Sequence, residues 1–229
     1  MRRAILLVLC AAMLPLWSHS AQNGKSQPEY LVYVGSYTSD DSKGIYAWRF
    51  RPATGEAQPL GLVAEAINPA ALSATPDQRF LYAVNWQLPG EVKEDTVSAY
   101  SIDAKTGALT LLNKVGSRGI RANQVIVDPS GKMASVVNYS TGTVAALPIG
   151  PDGRLGEAFF VDEHTGQPLS PQRKGPAAHG TVFTKDGRFA FIAELGLDRV
   201  YSYRVDAANR RMEPMDPPFV SVKASSGPR

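Results

Sequence analysis

The sequence predicts an all-β protein in which one structural unit recurs after roughly 50 residues. Three segments align without gaps, and in each of them two strand-like runs flank a tight turn: 66–85, 119–138 and 175–194. A tight turn between two β-rich runs, such as the one at Pro129-Ser130-Gly131, is typical of a hairpin. A second set of hairpins is predicted at 44–60, 97–112, 143–158 and 199–214.

Two hairpins per unit give four antiparallel strands, which is typical of a β-propeller blade. A lone blade cannot bury both of its faces, so we expect neighbouring blades to stack around an axis. A β-sandwich has similar turn spacing, but the gapless internal alignment favours the propeller. About four blades fit in 30–229, and Ser226–Arg229 resembles the lead-in to a further unit, so we expect a fragment of a longer ring.

The N-terminus has the pattern of an export signal. Two arginines precede an apolar run at 4–17, and small residues follow at a plausible cleavage point. The apolar run is short for a bilayer span, so we expect a secreted or periplasmic protein with no membrane contact beyond the export signal. The predicted organisation is a signal peptide over 1–20, a disordered polar leader over 21–29 and the propeller domain over 30–229.

Charge and cysteine content argue against several classes of function. The chain carries 24 Lys and Arg against 21 Asp and Glu without a basic cluster, so we expect no nucleic-acid partner. Its one cysteine, Cys10, lies in the predicted signal peptide, so we expect neither disulfides nor thiol chemistry in the exported chain. The chain also has no GxSxG nucleophile elbow and no phosphate-binding or dinucleotide-binding glycine motif.

Motifs spread over nearly all of 30–229 carry a family resemblance: YVGSYT at 33–38, GIYAWRF at 44–50, NYSTGTV at 138–144, DGRLGEA at 152–158 and ELGLDRV at 194–200. In these motifs the chain resembles the lactonase family of seven-bladed propellers, which includes propeller-type 6-phosphogluconolactonases and carboxymuconate cyclases. The resemblance implies a seven-bladed ring, of which about four blades are present here. It also implies hydrolysis of a sugar lactone, a reaction for which we expect no cofactor.

The chain departs from the family pattern at several polar positions. Family members read Pro-His-Ala-His where this chain keeps only the second histidine, His179, and has Ala177 in place of the first. A Pro-Cys-His lead-in is replaced by a segment that ends in Gln124, and an Asn-Glu pair is replaced by Asn85-Trp86. We interpret Trp86 as a packing residue. These departures put turnover in doubt more than the fold.

Lactone hydrolysis needs a group that activates water and a group that stabilises the developing oxyanion. A histidine or a carboxylate can take the proton of water near neutral pH, so we predict catalytic roles for His179 and for Glu194, which stands at a family aspartate. Arg173, in the polar loop 166–175, is the third predicted catalytic residue. Arg121 and Arg229 occupy equivalent lead-in positions and are predicted to bind an anionic part of the substrate. We predict no metal site, and we expect the partner to be a small sugar lactone or sugar acid.

Each candidate also has a structural interpretation. His179 could only hydrogen-bond a loop carbonyl, Glu194 could pair with Arg199, and the arginines could form contacts between blades or with solvent. His164 follows two acidic residues, but adjacent residues rarely converge on one ion, so we interpret it as a surface residue. The second hypothesis for function is a non-catalytic exported propeller that binds a sugar acid or a protein partner, which the lost histidine at Ala177 favours.

Overall fold

Fifteen strands form four antiparallel sheets within residues 28–38, 41–87 and 94–229, the parts of the chain that the computed structural model describes. We number the sheets as blades 1 to 4 in chain order. Blade 1 contains β1 (Tyr30–Gly35), β2 (Gly44–Arg51) and β3 (Glu56–Glu65). Blade 2 contains β4 (Pro69–Ala74), β5 (Phe80–Asn85), β6 (Thr96–Ile102) and β7 (Leu109–Gly116). Blade 3 contains β8 (Ala122–Val127), β9 (Met133–Asn138), β10 (Thr143–Pro148) and β11 (Phe160–Glu163). Blade 4 contains β12 (Ala178–Phe183), β13 (Phe189–Glu194), β14 (Arg199–Asp206) and β15 (Arg211–Ser221).

The all-β prediction is confirmed, and three of the four blades have the predicted four strands. Blade 1 has only three, because β1 takes the place of the second strand of the unit. Its sequence, YLVYVG, corresponds to FLYAVN of β5, and no strand of the described residues pairs with its other edge.

The first strands of the four-stranded blades lie side by side. β4 contacts β8, and β8 contacts β12 across the blade boundaries. Because the blades are equivalent in sequence and pairing, these strands start at one edge of the assembly. We call this edge the inner rim. It comprises the lead-ins and first residues of β4, β8 and β12 (66–69, 119–123 and 175–179) and the last residue of β5, β9 and β13 with the two residues that follow it (85–87, 138–140 and 194–196).

Apolar side chains between neighbouring blades form the core. Tyr82 of β5 packs with Val125 and Leu147 between blades 2 and 3, and all three are fully buried. The Tyr82 hydroxyl donates to the carbonyl of Gly153 at 3.0 Å, so its polar end is satisfied inside this apolar layer. Equivalent clusters join blades 1 and 2 and blades 3 and 4. The blades are thus held in a fixed order by burial of apolar surface.

The outward faces of blades 1 and 4 keep apolar side chains exposed. On β1 these are Tyr30, Val32 and Val34, and on blade 4 they are Val182 and Phe191. A blade needs a neighbour on each face, and these two faces have none among the described residues. The expectation of an open arc of blades stays a prediction.

The predicted signal peptide over 1–20 and most of the predicted leader over 21–29 lie outside the described residues. Glu29, the last residue of that leader, is described, and its carboxylate pairs with Arg49 at 2.9 Å and with Arg51 at 3.1 Å. Within 28–38, 41–87 and 94–229, no helix has the length and apolarity needed to cross a membrane.

Leu147→Ala tests the packing between blades 2 and 3. Leu147 is fully buried, so its truncation leaves a cavity between the blades, and we expect unfolding free energy to fall by about 2–5 kcal/mol. Leu111→Ala, at a half-exposed leucine of β7, is the matched control and should change it by less than about 1 kcal/mol. Chemical denaturation of both variants measures the difference. Equal, small losses would contradict this description of the core.

Candidate active site at the inner rim

A β-bulge at the start of each inner strand shapes the rim. Where β12 pairs with β13, the register shifts between Ala178 and Gly180, so His179 is an extra, unpaired residue. The register shifts at the same position of the unit in blades 2 and 3, where Ala70 and Asn123 are the extra residues. A bulge bends its strand and re-aims the extra side chain. The repeat therefore presents one non-paired side chain per blade at equivalent places.

Backbone hydrogen bonds of the rim repeat as well. In each blade, the residue that follows the second strand donates its N–H to a carbonyl in the lead-in of the first strand. The three bonds join Trp86 to Asn68, Tyr139 to Arg121 and Leu195 to Ala177, at 3.2, 2.9 and 3.1 Å. The side chains at these positions differ, but the backbone hydrogen bond is the same in the three blades. The rim therefore combines a repeated backbone structure with side chains that differ between blades.

His179 lies half-buried between blades 3 and 4. The Asn123 amide nitrogen lies 2.7 Å from the His179 carbonyl oxygen and 3.2 Å from its Nδ1 atom. The ring of Tyr139 meets the imidazole edge-on, with centroids 6.1 Å apart. Burial, and then the positive charge of Arg229, lower the pKa of the His179 imidazole. The ring is therefore neutral at neutral pH.

Arg121 is held at the rim by an aromatic platform. Its guanidinium lies over the indole of Trp86, 4.3 Å from the ring centroid, in the geometry of a cation–π contact. The indole N–H donates to the carbonyl of Ala122 at 2.6 Å, and the ring of Tyr37 lies 5.0 Å away. Arg121 itself has the left-handed backbone conformation (φ 59°). Trp86, interpreted from the sequence as a packing residue, is thus also the support for an exposed cation.

Arg173 lies against the lead-in that ends at Arg229. A Cβ atom at Gly227 would collide with the Arg173 guanidinium, so the two are in close contact. The carboxylate of Asp198 accepts the N–H groups of Gly227 at 2.7 Å and of Ser225 at 2.8 Å. These bonds, led by the one from Gly227, lower the pKa of Asp198, and the charge of Arg173 lowers it further. Arg173 therefore lies beside the segment that carries Arg229.

Glu194 lies behind the rim and is fully buried. One carboxylate oxygen accepts the N–H of Gly196 at 3.1 Å and the N–H of Ala177, two residues before His179. The other oxygen lies 2.7 Å from Nδ1 of His164. Glu194 thus fixes the lead-in to β12 and does not contact solvent. The catalytic role predicted for it stays a prediction, and its placement favours a structural role.

The interpretation of His164 as a surface residue is wrong. It is buried, its ring stacks on Tyr201 with centroids 3.7 Å apart, and its Nε2 atom lies 2.9 Å from the Tyr203 hydroxyl. That hydroxyl also donates to the Asp162 carboxylate at 2.7 Å. His164 and Glu194 thus belong to a buried hydrogen-bond network that joins blades 3 and 4. Periodicity alone could not reveal this, because β11 has only four residues and is half exposed.

The rim connects three of the predicted site residues. The Arg121 carbonyl accepts the N–H of Tyr139, and the ring of Tyr139 lies edge-on to that of His179. The positive charge of Arg229 lowers the pKa of His179. Asn123 was missed by the sequence reasoning, although it occupies the position of the unit that His179 occupies one blade later. Its alignment with a predicted catalytic residue was the signal that could have found it.

Gln124 shows what replaces a family histidine. Its side-chain oxygen accepts the N–H of Thr181 at 2.6 Å and so links β8 to β12. The position is therefore used for contact between blades. Within the described ranges, no three His, Cys, Asp or Glu side chains converge as a metal-binding group.

A cleft of about 700 Å³ lies between blades 3 and 4 at the edge opposite the inner rim. Two of its arginines are paired with carboxylates, Arg188 with Asp186 and Arg211 with Glu213, each at 2.7 Å. Paired surface charges attract an anion weakly. Arg121, by contrast, is exposed and rests on an uncharged indole.

The family model of the seven-bladed β-propeller lactonases matches residues 31–229. The chain belongs to this family. The resemblance predicted from its motifs is therefore confirmed, together with the propeller fold. A 6-phosphogluconolactonase of Bacillus subtilis is 29% identical over 77% of this chain and 50% of its own length. The chain thus spans about half the length of the curated relatives it matches.

Two solved structures named as lactonases are similar to this chain in sequence and in fold. A structure described as a 6-phosphogluconolactonase, from Bacteroides fragilis, is 33% identical and superposes with a TM-score of 0.81 over 91% of this chain and 59% of its own. The periplasmic gluconolactonase PpgL of Pseudomonas aeruginosa is 32% identical and superposes with a TM-score of 0.80 over 88% of this chain and 58% of its own.

The imidazole of His179 should titrate below the ordinary range. The pKa of this ring is lower in the folded than in the unfolded chain, so a proton binds more readily to the unfolded chain. Protonation of His179 therefore lowers the free energy of unfolding as the pH falls below the ordinary histidine pKa. Arg229→Gln should raise the pKa of His179 only part of the way to its ordinary value, since burial is the larger cause of the shift. NMR titration of the imidazole measures this pKa in the wild type and in the variant. Arg210→Gln, in the β14–β15 turn, is the control, and an unshifted wild-type pKa would contradict the placement.

Glu194→Gln should destabilise the protein because an amide group replaces a buried carboxylate oxygen, so one of the hydrogen bonds to His164 and to the lead-in of β12 is lost. We expect a loss of about 1–3 kcal/mol in unfolding free energy, measured by chemical denaturation. Glu213→Gln removes an exposed ion pair with Arg211 and should cost less than about 1 kcal/mol. A Glu194 variant as stable as the Glu213 variant would show that the buried pair contributes little.

Proposed function

We propose that the protein hydrolyses a sugar lactone that carries an anionic group, and that the reaction takes place at the inner rim. The observation that carries this proposal is the placement of His179. A bulge removes it from strand pairing, its lowered pKa favours the neutral ring, and it lies in a chain of contacts with Arg121 and near the positive charge of Arg229. Membership of the lactonase family supports the reaction class.

The arginines are assigned to the anionic part of the substrate. A guanidinium presents paired N–H donors that match a carboxylate or a phosphate. Arg121 is fixed by its stacking on Trp86, so less conformational entropy is lost when an anion binds. Arg229 occupies the position equivalent to that of Arg121, two repeats later in the sequence. Trp86 stands where family members have a glutamate, and the absence of that negative charge strengthens the attraction for an anion.

His179 is assigned to the reacting lactone group. A neutral imidazole has two useful roles there: it takes a proton from the attacking water, or it donates a hydrogen bond to the carbonyl oxygen. Glu194 and Arg173 are assigned as positioning residues. Glu194 holds the backbone two residues before His179, and Arg173 lies against Gly227, two residues before Arg229.

The substrate class and the location draw on relatives. The Bacillus subtilis relative acts on 6-phosphogluconolactone by name, and PpgL is named as a periplasmic gluconolactonase. Together with the predicted export signal, the second name favours periplasmic carbohydrate metabolism for this protein.

The alternative is a non-catalytic propeller that binds a sugar acid. Two observations favour it. Ala177 replaces a family histidine. Gln124 replaces a second family histidine, and its side-chain oxygen accepts the N–H of Thr181. A binder would use the same arginines without any change in the lactone. Turnover separates the two functions.

Hydrolysis is tested with the longest polypeptide that the gene encodes, by acid release from gluconolactone and its 6-phosphate above spontaneous opening. His179→Ala should lower kcat by about 100-fold or more. Arg121→Met should raise KM for the phosphorylated lactone roughly tenfold or more, because a charge-assisted bond is lost. Arg210→Met, at the opposite edge, is the matched control. Binding of the sugar acid without excess acid release would establish the alternative, and neither binding nor turnover would reject both.

A further inference from the structure

The orientation of the Asn123 side-chain amide is fixed by its neighbour. The nitrogen assigned as Nδ2 lies 2.7 Å from the backbone carbonyl oxygen of His179. A carbonyl oxygen only accepts, so this atom must be the N–H₂ end of the amide, not the oxygen.

The same nitrogen determines which imidazole nitrogen of His179 carries the proton. One of its hydrogens goes to the carbonyl, and the second faces Nδ1 of His179 at 3.2 Å. Two N–H groups cannot donate to each other, so Nδ1 must accept. In a neutral ring the proton then resides on Nε2. Burial and the charge of Arg229 lower the pKa of the ring and so keep it in this neutral form.

We infer that His179 acts as a hydrogen-bond donor, through Nε2–H, to the carbonyl oxygen of the lactone, and that Asn123 is the positioning residue that selects this tautomer. The inference rests on the proposed function and deepens it. It assigns His179 to stabilisation of the oxyanion and removes it from the role of general base.

A base role conflicts with the observed contact. A base at Nε2 needs its lone pair there, whereas in this tautomer the only free lone pair of the ring is on Nδ1 and is engaged by Asn123. Among the described residues, Nδ1 is also the only ring nitrogen of His179 with a hydrogen-bond partner. Nε2 is thus left for the substrate.

The reaction balances with water as the only co-reactant. Water adds to the carbonyl carbon and releases a proton to solvent, while the π-electron pair moves to the carbonyl oxygen, which accepts the Nε2–H bond. The tetrahedral intermediate then re-forms the carbonyl and breaks the ring C–O bond. Its electron pair leaves with the ring oxygen, which takes up a proton from water. The products are one hydroxy acid, ionised at neutral pH, and one proton.

The first test is spectroscopic and needs no turnover. Long-range ¹H–¹⁵N correlation on the ¹⁵N-histidine-labelled full-length protein identifies the protonated nitrogen, and loss of one signal set in His179→Gln assigns the residue. We expect Nε2–H in the wild type. In Asn123→Asp the carboxylate accepts from Nδ1–H, so we expect the opposite tautomer. Asn209→Asp, in the β14–β15 turn, is the control and should leave the wild-type pattern. An Nδ1–H tautomer in the wild type would overturn the inference.

The second test is kinetic and uses uncharged gluconolactone, so that repulsion of an anion does not enter. At a pH where NMR shows a neutral ring, Asn123→Asp should lower kcat roughly tenfold or more, because the donor at Nε2 is lost. A base would instead be improved by the new carboxylate, as in a His–Asp pair.

His179→Gln separates the two roles again, since glutamine keeps an N–H donor but has no basic group. We expect its kcat to exceed that of His179→Ala at least about tenfold. Equal rates in the Gln and Ala variants, or a faster Asn123→Asp enzyme, would overturn the donor role while leaving lactone hydrolysis in place. A wild-type protein without turnover would instead remove the proposed function, and this role with it.

Discussion

The structure depends on a buried polar side chain at the end of the second strand of each four-stranded blade, which holds the lead-in to the first strand. Asn85 donates to the carbonyl of Ile67, Asn138 to that of Ser117, and Glu194 accepts from the lead-in of β12. Backbone groups in these irregular segments have no strand partner, so each needs a side chain if it is buried. Where the third copy uses a carboxylate, its second oxygen lies 2.7 Å from Nδ1 of His164. The inner rim is therefore held by side-chain as well as backbone hydrogen bonds.

The bulge at the start of the first strand turns one side chain of the repeat out of the strand pairing at the inner rim. At the inner rim one residue in each of blades 2 to 4 falls outside the pairing: Ala70, Asn123 and His179. Ala70 has no polar side chain, Asn123 is proposed to position His179, and His179 is proposed to act at the reacting group. Because blades 3 and 4 are neighbours, the amide of one bulge meets the imidazole of the next. His179 is thus both a copy of the repeat and the residue on which the proposed chemistry depends, whereas Glu194 serves the frame.

The fold was predictable from the sequence because hairpin turns and repeat length are local signals. The position of His179 could be predicted for the same reason, since it aligns with Asn123 in the unit. The partners of Glu194 could not, because His164 is 30 residues away and follows a short strand, β11, that gives no periodic signal. The support of Arg121 by Trp86 also depends on packing between blades, which no pattern along one strand records. Contacts across blade boundaries are where sequence reasoning failed.

A crystal structure of the full-length protein with a sugar acid bound tests the central claim most directly, because it locates the ligand independently of turnover. We predict the acid at the inner rim, with its anionic group on Arg121 or Arg229 and its carboxyl carbon near His179 Nε2. The cleft at the opposite edge, lined by Lys132, Arg188 and Arg204, offers the competing location. A sugar acid bound there, with the rim empty, would contradict the assignment of the rim as the active site.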